Sequence, residues 1–146
     1  MTDAEVREFL AAERTMQCVS IGPNGRPHLM PLWYVPDGVE LSCWTFAKSQ
    51  KARNLERDPR ATVGVDTGVE YNELRGVMME CDVELERDTA HVAEFGRALF
   101  TRYGGGGQIG EEVAAMVEQQ AAKRVALRFH PTRIVTWDHG KLGGVY

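Results

Sequence analysis

The sequence holds only three cysteines, Cys18, Cys43 and Cys81, far apart and with no C-x-x-C pair. A disulfide framework is therefore not expected, which fits a reducing compartment. The four histidines, His28, His91, His130 and His139, are just as scattered, and no H-x-x-H or Cys/His cluster suggests zinc. No apolar run approaches the roughly 20 residues of a membrane-spanning helix. Positive charge is also in deficit: the net charge is −4. That balance argues against non-specific nucleic-acid binding, which needs a broad basic face. No Walker loop occurs, and Ser20, Ser42 and Ser49 lack the surroundings of a nucleophile elbow. The segment "GGGQIG" (105–110) matches a dinucleotide fingerprint by letter. That fingerprint needs a strand before it, and the pattern here predicts a helix instead, so it reads as an inter-helix loop.

What the chain has is an ordinary balance of 43% apolar and 26% charged residues over 146 positions, the size of one domain. The charged N-terminus "MTDAEVREFLAAER" lacks a signal-peptide apolar core, so a cytoplasmic location is expected. Thr2 and Glu5 form a capping box, and Val6, Phe9 and Leu10 give one apolar face to a helix over 3–13. Three strands are predicted at 15–21, 26–35 and 39–46, divided by "GPNG" and "PDG" turns, as an antiparallel meander. Ser49 caps a short helix that Asp58-Pro59 ends. Strands over 60–67 and 73–86 follow, the second with a bend at Gly76. Helices are predicted over 88–103 and 110–123, then strands over 124–131 and 132–139. The order α-βββ-α-ββ-αα-ββ predicts a mainly β fold with α: a split antiparallel barrel of six to seven strands, helices packed outside, in one domain spanning 1–146.

Two constellations carry chemistry. The first is "AKSQKARN" (47–54), a basic stretch that leaves a strand and opens a helix. Open N–H groups and the positive end of the helix dipole favour an anion there, with Lys48 and Lys51 as point charges and Ser49 as a hydroxyl donor. Basic residues at a helix start are mildly unfavourable without an anion, which tips the reading slightly toward a bound anion over a solvated face. Arg53 falls on the opposite side of the helix. The second is aromatic: Trp33 and Trp44, with Met30, Leu32 and Phe46, can line a flat apolar slot. Pro31 points to an edge or bulge where a ligand meets backbone. Trp137 is a further candidate to complete the slot, from a second subunit.

With these residues in view, "GRPHLMPLWYVPDG" followed by "WTFAKSQKARNLERDPRATV" resembles the pyridoxamine 5'-phosphate oxidase-like split-barrel superfamily. The nearer resemblance is to its actinobacterial branch, which uses the deazaflavin coenzyme F420. The resemblance covers most of residues 5–138, and K-S-x-K-x-x-N-L followed by D-P-R is its best motif. It implies a homodimer with the cofactor between subunits, no nucleic-acid or membrane partner, and a small-molecule substrate. It places Lys48, Ser49, Gln50, Lys51 and Asn54 at the cofactor phosphate. Met30, Pro31, Leu32, Trp33, Trp44, Thr45 and Phe46 fall along the ring and ribityl chain. The implied activity is hydride transfer from the reduced deazaflavin to an unsaturated organic substrate. FMN in place of F420 and a module that binds the cofactor without turnover are the alternatives. Vitamin B6 oxidases resemble the chain less, because it ends "DHGKLGGVY" without their arginine-rich motif. No residue stands out as a catalytic acid; Tyr34, Tyr71 and Tyr103 are the candidates beside solvent.

Overall fold

A computed structural model of the chain describes residues 1–143. Helix α1 (Asp3–Ala12) starts on the expected capping box: the Glu5 carboxylate accepts from the Thr2 N–H at 2.6 Å, and the Thr2 hydroxyl accepts from the Glu5 N–H at 3.3 Å. The strands that follow are β1 (Thr15–Ile21), β2 (Pro27–Trp33), β3 (Val35–Asp37) and β4 (Glu40–Phe46). After them come α2 (Gln50–Arg57), β5 (Arg60–Thr67), β6 (Arg75–Glu86), α3 (Thr89–Tyr103), α4 (Glu111–Ala121) and β7 (Arg124–Asp138). Among these residues no helix is long and apolar enough to cross a membrane.

All seven strands join one antiparallel sheet in the order β2-β1-β5-β6-β7-β4-β3. Only Tyr34 separates β2 at one edge from β3 at the other. The sheet therefore has to curl until its edges approach, which makes the split half-barrel. Tyr34 anchors the crossing: it is fully buried, and its hydroxyl donates to the Leu10 carbonyl at 2.8 Å.

Three local expectations are corrected. The strand over 26–35 is broken at Tyr34, and β2 pairs with β1 but not with β4, so 15–46 is not a meander. The strands over 124–131 and 132–139 are one strand, β7; Pro131 lacks an N–H for the ladder, and Thr132 is taken up as a bulge while the strand continues. The irregularity in β6 lies at Glu80/Cys81 opposite that bulge, not at Gly76, which pairs regularly with Trp137.

The curl separates two apolar clusters. Inside the barrel, Phe9, Leu10, Met16, Leu41, Leu55, Val63, Met79, Leu127 and Phe129 pack with all three cysteines. Outside it, α3 and α4 lie over β4 and β7 through Val92, Ala93, Val117, Ala121 and Ala126, with Trp44 and Phe100 packed against them. Strand β4 thus serves both sides, with Leu41, Cys43 and Thr45 inward and Trp44 and Phe46 outward.

Candidate functional site

Chain direction places the basic stretch where β4 hands over to α2. The Ser49 hydroxyl caps α2 by accepting the Ala52 N–H at 3.3 Å, and Ala52 and Leu55 anchor the helix to the core. Lys51 is drawn inward with them and is 9% exposed. Its ammonium donates to Thr45 Oγ1 at 2.8 Å. Burial pushes this amine below the ordinary lysine value, and the nearby Arg124 guanidinium adds to the push. Asn54 is fully buried; its amide donates to Ser20 Oγ at 3.1 Å and accepts from Gln50 Nε2 at 2.8 Å. Lys48 and Arg53 are exposed. The ion pairs of the described residues include none of Lys48, Lys51 or Arg53.

A buried ammonium without a counter-ion is costly unless something anionic reaches it. The donors gathered here are the Lys51 ammonium, the Ser49 hydroxyl and first-turn N–H groups that have no earlier helical carbonyl. Their chemistry suits an oxyanion. Ser20, considered in the sequence only as a nucleophile, turns out to hold Asn54.

The outer face of β4 forms the second part. Leu32, Trp33, Trp44 and Phe46 line a cavity of about 450 Å³ together with Leu99, Phe100, Met116, Gln120 and Arg124. Trp44 is fixed by Gly96 of α3: a Cβ there would lie 2.4 Å from the indole, so only glycine lets helix and ring approach this closely. Trp33 is 53% exposed and stacks on Tyr103 at 4.3 Å, with 7° between the ring planes. On its other side Trp33 borders a cavity of about 310 Å³ at the Gly104–Gly110 loop. That loop joins α3 to α4, so a helix does precede "GGGQIG".

The structure therefore brings Trp33, Trp44, Leu32 and Phe46 together on one side of β4, and Thr45, Ser49, Gln50, Lys51 and Asn54 on the other. Met30 and Pro31 lie on the exposed edge strand β2, outside the cavity lining. Pro31 fits that edge, where no outer ladder needs its missing N–H. Trp137 pairs with Gly76 toward the opposite end of β7 from Arg124 and Val125, and it is not part of the cavity lining. The Tyr34 and Tyr103 hydroxyls are both engaged by backbone, Tyr34 on the Leu10 carbonyl and Tyr103 on the Arg14 carbonyl at 2.5 Å. Tyr71 packs against His139, near the far end of β7. The helix contribution of Leu99, Met116 and Gln120 was missed, because helix periodicity does not say which strand a face will cover. Arg124 carries no signal in the sequence beyond opening the strand predicted over 124–131.

Comparison with known proteins comes to the same architecture. A conserved hypothetical protein of Mycobacterium tuberculosis, Rv2991, is 40% identical with a TM-score of 0.89, covering 100% of this chain and 90% of that one. A protein described as an F420 reductase is 22% identical, TM-score 0.68, over 88% of this chain and 94% of that one. A FAD-binding protein of Mesorhizobium loti is 16% identical, TM-score 0.69, over 93% and 94%. The last two establish likeness of fold alone. No curated protein matches the chain. The family model described as pyridoxamine 5'-phosphate oxidase matches residues 2–138, nearly the whole length. The chain belongs to the pyridoxamine 5'-phosphate oxidase family.

Proposed function

We propose that this chain is an oxidoreductase that binds the deazaflavin coenzyme F420 and passes a hydride to a small unsaturated organic substrate. The observation that carries this reading is Lys51, a buried ammonium held by Thr45 but by no carboxylate, across β4 from a cavity walled by Trp33, Trp44 and Phe46. The F420 reductase among its structural neighbours supports the choice of cofactor. When bound, the coenzyme supplies the hydride chemistry. The chain's own part is to bind and shield. Lys51, Lys48 and Ser49 hold a phosphate at the head of α2, and Asn54 and Gln50 stiffen that turn. Trp44, locked on Gly96, and Phe46 keep a flat ring in a low-polarity surround that excludes water. With Tyr34 and Tyr103 engaged by backbone carbonyls, the proton comes from solvent.

The site is completed by a second copy. Leu29, Met30 and Trp33 are 57%, 41% and 53% exposed on the edge strand β2, an apolar edge of the kind proteins cover. A homodimer would bury it, and Trp137 would then reach the cofactor from the second subunit. The alternative cofactor is FMN, whose ring is the flavin of the FAD that one structural neighbour is described as binding. Titration of the purified protein with F420 and with FMN, side by side, tests the reading: quenching of deazaflavin fluorescence supports it, and FMN binding alone replaces it.

A further inference from the structure

Among the described residues Arg124 is the one charged side chain lining the aromatic cavity. Its guanidinium lies 4.1 Å from the Phe46 ring centre and 4.7 Å from that of Trp44. Its Nε is buried and has no hydrogen-bond partner. Its only side-chain hydrogen bond among the described residues is a long one, 3.5 Å, to Gln120 Oε1. Among the described residues no carboxylate pairs with it. Burial holds its pKa below the ordinary arginine value, so the protein bears the cost of desolvating this cation. The two ring faces return part of that cost, but they leave Nε without an acceptor and the terminal N–H groups with that one long bond to Gln120.

We infer that Arg124 is an anion clasp: the molecule that fills the aromatic cavity pairs flat apolar surface with a carboxylate or phosphate that Arg124 binds. The inference rests on the proposed function for calling the site a cofactor and substrate site, but not for the pairing itself. The oxyanion has two sources. It belongs to the substrate, a planar unsaturated acid, or to the acidic tail of the coenzyme, reaching Arg124 from the neighbouring Lys51.

Binding of four probes, followed by tryptophan fluorescence and calorimetry, tests this and separates the sources. The first pair is 2-naphthoate and its neutral amide; the second is F420 and a tail-less analogue that keeps the ring, ribityl chain and phosphate but lacks the tail carboxylates. If the substrate supplies the anion, the wild-type protein binds naphthoate at least about tenfold tighter than naphthamide, the scale of one charge-assisted contact. Arg124→Gln then abolishes the difference and Arg124→Lys retains part of it. If the coenzyme supplies it, Arg124→Gln weakens F420 and leaves the tail-less analogue unchanged, while the two naphthyl probes bind alike. The wild-type ratios need no variant, so a poorly folding Arg124→Gln does not block the test. Equal affinities within both pairs, or losses in Arg124→Gln that strike charged and neutral probes alike, would overturn the inference and leave Arg124 as packing. Naphthoate discrimination without any F420 binding would sustain the clasp while refuting the coenzyme.

Discussion

Lys51 is buried before any ligand arrives, and this separates its effect on binding from its effect on stability. Lys51→Met removes the cation that the proposed phosphate needs, so F420 affinity should fall by about 2–5 kcal/mol, the range for truncating a buried charged partner. The same change relieves an uncompensated buried charge, so the ligand-free variant should melt at or above the wild-type temperature. Fluorescence titration and a thermal melt together check both halves. Lys48→Met, at an exposed position, should cost about 1 kcal/mol or less. The cysteines give a second residue-scale expectation. Burial pushes the Cys18 thiol from 9.0 up to about 11 and Cys81 up to about 12, and drives Cys43 higher still. The unfolded chain releases these protons near pH 9 while the folded one keeps them. Their stabilising effect is therefore full below pH 9 and is lost as pH rises toward the folded values, by up to about 1.4 kcal/mol per pH unit for each thiol. Lys51 acts in the opposite sense, but it is one amine against three thiols. Urea midpoints should fall between pH 8 and pH 10.5, and iodoacetamide should label the native protein slowly. A midpoint that rises over this window would contradict the burial.

At the scale of elements, what was legible in the sequence was what is decided locally. The caps at Thr2 and Ser49 set the starts of α1 and α2, because a hydroxyl three residues from an N–H needs no tertiary partner. The basic cluster was legible for the same reason. Pairing was not: β2 and β4 share the aromatic cavity without sharing a ladder, and only the curl of the whole sheet brings Trp33 to Trp44. Alternation along β4 puts Thr45 and Trp44 on opposite sides, but it does not say that α3 and α4 cover the side of Trp44. Gly96 is the hinge of that arrangement. In Gly96→Ala the new methyl would meet the Trp44 indole at 2.4 Å and Val117 at 2.9 Å, so α3 must lift from β4. Overpacking of this kind costs about 1–3 kcal/mol, and the variant should lose F420 affinity with a changed tryptophan emission. Gly76→Ala meets Trp137 at 2.2 Å and should destabilise the fold by a similar route. Unchanged emission and affinity in Gly96→Ala would mean that Trp44 is not held as described.

For the molecule as a whole, the curled sheet provides an inner core, an outer helical layer and one uncovered apolar edge at β2. The family motif anticipated the half-barrel; the wrap of 27–37 from one edge to the other had no sequence signature, because Tyr34 reads as one more strand residue. A homodimer should appear in light scattering as twice the 16.3 kDa chain. Met30→Glu on the exposed edge should shift it to monomer and weaken cofactor binding with it; dimer loss without loss of binding would place the cofactor within one subunit. The most direct test of the central claim is a parallel titration of wild type and Lys51→Met with F420 and FMN. The expected result is F420 bound in clear preference to FMN and an affinity at least about 30-fold weaker in the variant, the lower end of the range for a lost buried charge. An F420 dissociation constant unchanged by Lys51→Met would contradict it.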